Sequence, residues 1–378
     1  MSSSTFVKEC DERWMKFAIA LSQKSQGFSS ENPNVGCVVV DSNGELCGSG
    51  FTQPGGRPHA ETEALKDAGK KARGGTLYVT LEPCSHYGQT PPCTKAIILA
   101  DIKRVVIAIL DPDKRVNGAG IKQLKQAGLE VEVGLMKEDA IKYIPSFLAR
   151  NSFSINGKNS IKKKRPYITV KVAHSLDGFV SKGIGVGGKI SNQVSAAFTH
   201  DLRSRVDATL ISYKTAKIDN PLLNARINGL NYPTKRIVLD KNLALDKLSN
   251  LVKTSDIHPL VIVTKDKPKV KHWVHDKILN NQIRLLVMGK NYNLEAIFIA
   301  LLEQGFGHIL VEPGPRLLKS LFSENLVDEF FEVVSNKKLI KGYSIGISEK
   351  AVDFTPPKSF VLVKQFNLAN DIIKFWKV

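Results

Sequence analysis

The chain has 378 residues, 42% of them hydrophobic, enough for ordinary cores in two domains. No apolar run approaches the roughly 18 residues that a membrane span needs, and the opening MSSSTFVKECDER lacks the apolar stretch of a secretory signal. The net charge of +18 is uneven: residues 1–150 carry 19 basic and 17 acidic groups, which leaves 35 against 19 for the rest.

Trp14, Phe17, Ala18 and Leu21 fall at helical spacing, so an amphipathic helix is expected over residues 11–24. Asn32-Pro33-Asn34-Val35-Gly36 reads as a loop. Apolar runs at 37–40 and 46–51 flank Asp41-Ser42-Asn43-Gly44, and Asn-Gly between such runs signals a hairpin. A helix opens just after His59, a strand covers 76–81, and another helix runs from Cys93 to Ala100. A strand at 104–110 leads into Asp111-Pro112-Asp113. A short helix at 121–126, a strand at 129–133 and a helix over 137–150 close the unit. Strand alternating with helix implies an α/β sandwich around one sheet.

Residues 151–165, polar and basic, read as a linker between a first domain, 1–150, and a second, 166–378. The second opens on an alternating strand at 166–172, the turn Ser175-Leu176-Asp177-Gly178 and a glycine-rich loop at 183–188. A helix at 192–204, strands at 208–212, 236–239, 260–263 and 308–311, and helices at 294–304 and 316–323 make it a further α/β domain. No GxGxxG follows its first strand, so the Rossmann dinucleotide fingerprint is absent.

The chemistry concentrates between His59 and Cys93. A single His or Cys is usually a packed core residue. Here His59, Cys84 and Cys93 each stand at an element end beside a proline, and Glu61 follows the histidine by two positions. Three protein ligands with a fourth position open is the plan of a catalytic zinc site. Zinc lowers the pKa of water toward neutral, and a carboxylate off the metal can move the proton to a leaving group. His-x-Glu followed by Pro-Cys and a second Cys is the signature of zinc-dependent base deaminases. In those that act on nucleic acids two residues separate the cysteines; here eight do, 85–92.

PCSHYGQTPPC, with HAE upstream and NPNVG before it, closely resembles the deaminase half of the bifunctional riboflavin-biosynthesis deaminase/reductases. Pro166-Tyr167-Ile168 with Lys171, Ser175-Leu176-Asp177-Gly178, Asp219-Asn220-Pro221 with Arg226, and Val311-Glu312 before Gly314 resemble the reductase half. The two resemblances cover nearly the whole chain. They imply a cytidine-deaminase-like α/β/α sandwich followed by a dihydrofolate-reductase-like α/β domain. They imply Zn2+ at His59, Cys84 and Cys93, with Glu61 as proton carrier and Asn34 toward the substrate. NADPH falls at Ala173, Lys189, Thr215, Asp219, Gly314, Pro315, Arg316 and Leu317. The phosphoribosyl substrate falls at Arg203, Leu223, Arg226 and Glu312, with Lys171 near the reacting sugar. The implied reactions are hydrolytic loss of the 2-amino group from a diaminopyrimidinone ribosylamino phosphate and reduction of its ribosyl side chain to ribityl. A homo-oligomer is implied as well.

The residues support cofactor binding independently. Gly314 stands where a strand meets a helix N-terminus, a ready phosphate site, and Arg203 and Arg226 are each able to fork a phosphate. Two departures stand out. Ser-x-Trp-Ile-Thr, common in the family after the glycine-rich loop, is Gly187-Gly188-Lys189-Ile190-Ser191 here, without the tryptophan that packs on the cofactor. Gly-x-x-Thr-Val-x-x-Asp-Asp-Pro is replaced by Ser212 to Pro221. They keep open a deaminase whose second domain is catalytically silent. A nucleic-acid deaminase with a basic binding domain is the other alternative, but Lys162-Lys163-Lys164 has no interleaved aromatics for base stacking. No nucleic-acid or membrane partner is therefore expected. Five cysteines, an odd number with two assigned to metal, point to reduced thiols and the cytoplasm.

Overall fold

The structure, a computed structural model, describes residues 3–29, 32–88, 90–112, 117–151, 165–183, 185–227, 230–232, 234–266, 272–346, 350 and 354–378. The expected linker lies almost entirely outside them, as do Gln89 and Asp113. The chain divides into two compact units, Met1–Lys163 and Lys164–Val378.

The first unit begins with helix α1 (Ser3–Ser22), longer at its start than expected. Strands β1 (Gly36–Val40) and β2 (Leu46–Phe51) form the antiparallel hairpin, with Gly44 at its tip in the left-handed region, φ 82°. Helix α2 (Ala60–Ala68), strand β3 (Thr76–Leu81), helix α3 (Cys93–Leu99) and strand β4 (Arg104–Ile109) follow. Helix α4 (Ala119–Gln126) and strand β5 (Glu130–Val133) come next. The helix expected over 137–150 is two, α5 (Lys137–Ile141) and α6 (Pro145–Arg150). Pro145 has no N–H to donate to a preceding turn, so it starts a helix and cannot continue one.

The sheet order is β2-β1-β3-β4-β5, antiparallel on the hairpin side and parallel from β3 to β5. Val38, Val39, Leu77, Val79, Val105 and Ile107 are wholly buried at its centre. Helix α2 lies unusually close to β2. A Cβ on Gly48 would come 2.2 Å from the Ala64 carbonyl oxygen, and one on Gly50 would come 2.3 Å from that of Ala60. The glycines and the alanine stripe Ala60, Ala64, Ala68 thus permit an approach that larger residues would block. That approach fixes where the helix begins, and so where His59 and Glu61 stand.

The second unit contains β6 (Tyr167–His174), β7 (Phe179–Ser181), α7 (Gln193–Ser204), β8 (Ala208–Ser212) and α8 (Tyr213–Asp219). The next elements are β9 (Ala225–Ile227), β10 (Leu230–Tyr232), β11 (Lys235–Leu239), α9 (Asn250–Lys253), β12 (Leu260–Thr264) and α10 (His272–Leu279). Then come β13 (Ile283–Val287), α11 (Leu294–Glu303), β14 (His308–Val311), α12 (Pro315–Ser323) and β15 (Glu329–Val334). The chain finishes with β16 (Tyr343–Ser344), β17 (Val361–Leu368) and β18 (Asp371–Lys377).

Nine strands form one sheet, ordered β13-β12-β11-β8-β14-β6-β15-β18-β17. It is parallel from β13 through β15, and β18 and β17 are added antiparallel. Ile168, Leu210, Ile237, Val263 and Ile309 pack into one core, and the alternating residues Ile211, Val238 and Ile262 into another, as expected of a parallel sheet covered on both faces. Side chains at the carboxyl ends of β6, β8 and β14 share one crevice, where open α/β sheets bind ligands.

Candidate active sites

In the first unit, His59 is the N-cap of α2, Cys84 follows β3, and Cys93 is the first residue of α3. The structure brings the three together, with all their donor atoms within 4.8 Å of one another. His59 Nδ1 lies 3.7 Å from Cys84 Sγ and 3.4 Å from Cys93 Sγ. Tetrahedral zinc, with bonds of about 2.3 Å to sulfur and about 2.0 Å to nitrogen, places such pairs about 3.6 Å apart. The cluster therefore has the spacing that the ion requires. The three groups also shift one another's titration. The Cys84 thiol is pulled down to about 4 by the hydrogen bond with Cys93, with His59 adding to the effect. The Cys93 thiol is pushed far up by Cys84, and His59 is raised mainly by Cys84. A bound zinc ion would hold both sulfurs as thiolates, releasing their protons.

Glu61 sits in the first turn of α2, 4% exposed, and burial pushes its carboxyl up. His59, Cys84 and Glu61 border a cavity of about 230 Å³, which Asn32, Pro33, Val35, Arg57, Glu82 and His86 also line. Asn34 is not among the lining residues. Its amide donates to the Tyr143 carbonyl and its oxygen accepts from the Ser29 hydroxyl, so its side chain is spent behind the loop. Asn32, two residues earlier, faces the cavity instead.

Glu82 has a different part from Glu61. Its carboxylate is 3% exposed and accepts from the backbone N–H groups of Asp111, Gly118, Gly120 and Ile121, at 3.2, 3.0, 3.0 and 3.4 Å. A carboxylate offers about four acceptor sites, so Glu82 has none left for a travelling proton. Of Glu61 and Glu82, Glu61 is the one whose carboxylate is not saturated by backbone N–H groups, and so the one to carry it.

In the second unit, Lys171, Ala173, Thr215, Asp219, Glu312, Gly314, Pro315, Arg316 and Leu317 line a single cavity of about 470 Å³, within the range of cofactor sites. Gly314 caps α12 with no side chain on the first-turn N–H groups, which leaves Arg316 and Leu317 N–H for an anion. Thr215 stands in the first turn of α8, whose cap Ser212 accepts from the Thr215 N–H. These features fit a phosphate-bearing dinucleotide such as NADPH. Burial lowers the Lys171 amine, Glu312 partly restores it, and Arg203 lowers it further. Among the described residues no hydrogen bond or ion pair fixes its Nζ. Burial alone would raise the Glu312 carboxyl, but Arg203 outweighs it and holds the group below its ordinary range. Asp219 is raised by burial and by Glu312.

Four expected contacts do not reach this cavity. Arg203 does not present an open fork to a phosphate: Nε and Nη2 donate to Glu312 at 2.6 and 3.0 Å, and Nη1 donates to the Asn224 carbonyl. Arg226 is exposed beside it, shared between Asn224 Oδ1 and His200 Nε2. Leu223 is 3% exposed with φ 50° and packs into the core, so only its backbone is available. Lys189 is exposed and does not line the cavity, whereas Gly185, Val186, Gly187 and Gly188 do. The long side chain that replaces the family tryptophan therefore does not stand in for it.

Matches to known proteins agree with this picture. The family described as the cytidine and deoxycytidylate deaminase zinc-binding region matches residues 8–109, and that described as the RibD C-terminal domain matches 166–337. Together with the two folds, they define a zinc-dependent deaminase joined to an NADPH-dependent reductase. The chain is 36% identical over 372 residues to the riboflavin biosynthesis protein RibD of Aquifex aeolicus, covering 98% of this chain and 99% of the relative. It is 34% identical over 335 residues to that of Escherichia coli, covering 87% and 88%. A Thermotoga maritima structure, described as a diaminohydroxyphosphoribosylaminopyrimidine deaminase/5-amino-6-(5-phosphoribosylamino)uracil reductase, superposes with TM-score 0.83 at 29% identity over 98% of this chain and 99% of that one. Acinetobacter baumannii RibD, form 1, gives 0.82 at 29% over the same shares. The chain belongs to the RibD family of bifunctional riboflavin-biosynthesis enzymes. It acts on small molecules, and among the described residues no helix is long and apolar enough to cross a membrane.

Proposed function

We propose that the first unit, read as residues 1–150, hydrolyses the 2-amino group from a diaminopyrimidinone ribosylamino phosphate at the His59–Cys84–Cys93 cluster. The second unit, from 166 onward, reduces the ribosyl side chain at the Lys171–Glu312 cavity. The substrate pair is carried over from the described activity of the Thermotoga relative. The observation that carries the reading is the convergence of the two thiols and one imidazole nitrogen, at zinc spacing, beside a buried carboxyl.

Bound zinc supplies Lewis acidity and brings the pKa of water toward neutral. Glu61 accepts a proton from the attacking water and delivers it to the ring nitrogen, then carries the second proton, from the hydroxyl of the adduct, to the amine, which leaves as ammonia while the C=O bond forms. Its buried carboxyl, raised in pKa, suits both taking and returning a proton. Arg57, His86, Gly88 and Thr90 border the cavity on the side of the cysteine loop, which suits a free nucleotide, where a polymer would need an open channel.

In the second unit NADPH supplies the hydride. The Lys171 ammonium gives a proton to the sugar ring oxygen as the ring opens, which makes the adjoining carbon electrophilic. The negative charge of Glu312, anchored by Arg203, favours the protonated form of Lys171, and Asp219 orients the cofactor against the glycine loop. The α12 N-terminus takes cofactor phosphate, and Arg226 with His200 takes the substrate phosphate from the exposed side. The reduced state of all five cysteines suits the cytoplasm, and the exposed apolar strand residues Val361 and Val363 suit a homo-oligomer.

The test is purified enzyme given the diaminopyrimidinone, with ammonia release and NADPH oxidation followed separately. Metal analysis accompanies it. Wild type should hold about one zinc per chain, and Cys84→Ala close to none, because a three-ligand site cannot spare one. Equal zinc in both would remove Cys84 from the site.

A further inference from the structure

Helix α4 supplies no residue to the donor cluster, yet three of its residues engage the segments that carry the two sulfur donors. Glu82, two residues before Cys84, binds the N–H groups of Gly118, Gly120 and Ile121 at the start of the helix. Gly120 is pressed against the same segment: a Cβ there would lie 2.2 Å from the Pro83 carbonyl oxygen, closer than any side chain allows. One turn on, Gln123 reaches both sulfur segments at once. Its Nε2 donates to the Ser85 carbonyl at 3.3 Å, and its Oε1 accepts from the Thr94 hydroxyl at 2.8 Å. Ser85 follows Cys84, and Thr94 follows Cys93. The two segments also bond directly, Thr94 N–H donating to the Cys84 carbonyl at 3.2 Å and Cys93 N–H to Cys84 Sγ at 3.3 Å. Leu124, wholly buried, anchors the helix in the core.

We propose that Glu82 and Gln123 are positioning residues for the metal, making α4 a brace that fixes the separation of Cys84 and Cys93. The proposal rests on the reading that His59, Cys84 and Cys93 hold zinc. The physical need is clear. Eight residues separate the cysteines, and a loop of that length does not itself fix its ends to the few tenths of an ångström that metal bonds demand. Glu82 fixes the strand end and Gln123 the mutual spacing. Groups that orient metal ligands without touching the metal typically change affinity by about 10–100-fold when removed.

The experiment uses the full chain loaded with zinc, and follows transfer of the metal to an excess of chromophoric chelator. Gln123→Met keeps the length and removes the amide; Thr94→Val keeps the shape and removes the hydroxyl. Each should release zinc about tenfold faster than wild type, and the double variant no faster than the worse single, because they share one hydrogen bond. Glu82→Gln should release it faster still. In the cobalt-substituted protein, the visible absorption bands of these variants should shift, whereas Lys125→Ala, on the same helix, should leave them in place. Hydrogen-exchange protection of the buried β1, β3 and β4 amides reports that the first unit is folded. Should Glu82→Gln fail to fold, Gln123→Met and Thr94→Val decide. Release within twofold of wild type in both, from folded and fully loaded protein, overturns the proposal. A wild type that binds no zinc overturns instead the reading on which it rests.

Discussion

Glu61→Gln should retain its zinc and lose deamination by about two to four orders of magnitude, while NADPH oxidation with the deaminated product supplied stays at the wild-type rate. The change is isosteric, so the α2 start and the His59 position should survive. An amide cannot accept a proton from water, which removes the relay and leaves the metal's polarisation intact. The loss corresponds to about 3–5 kcal/mol of barrier. Glu61 and Glu82 border the same cavity, so the pair makes an internal comparison. Glu82 already accepts four backbone N–H groups, so its amide variant should act through metal retention. A Glu61→Gln enzyme that deaminates within tenfold of wild type, with zinc in place, would sink the assignment of the proton carrier.

What the sequence made legible followed the range of the interactions involved. His59, Cys84 and Cys93 could be read because each stands at an element end, in a short run whose spacing is itself the signal. The hairpin could be read because Asn43-Gly44 sets its turn locally. Glu82 could not be assigned a role, because its partners are backbone N–H groups some thirty residues away, and no side-chain pattern marks them. Nor could the engagement of Arg203 with Glu312, 109 residues apart in the chain, which turns an expected phosphate fork into a support for a carboxylate. The break between α5 and α6 was legible in principle, since Pro145 announces it, but the apolar periodicity over 137–150 runs straight across. Strands β17 and β18 were missed for a different reason. Most of β17 is exposed on both faces, so its residues have no buried side to alternate with, and Asp371-Ile372-Ile373 blurs the start of β18. Strand β18 is specified by pairing with β15, and β17 by pairing with β18, which periodicity does not record.

Lys171→Met should lower the rate of reduction by about two to four orders of magnitude and leave ammonia release from the first unit unchanged. Methionine keeps most of the buried stem, so the cavity wall formed by β6 should persist while the ammonium is lost. The pH profile separates an acid from a mere filler of space. Burial lowers the Lys171 pKa, and the working form is the protonated one. Reduction should therefore fall as pH rises through that lowered value, short of the ordinary lysine figure of about 10.4. Glu312 raises the Lys171 pKa, and it also neutralises Arg203, which lowers it. Glu312→Gln removes the first effect and releases the second, so both changes move the alkaline limb the same way, further toward neutral pH. In Lys171→Met the limb itself should vanish from kcat for reduction, measured at saturating NADPH. A limb that stays in place in Lys171→Met, with a rate within tenfold of wild type, would assign the proton to another group. The pairing of Glu312 with Arg203, each side chain only about one-sixth exposed, would then serve to shape the cavity alone.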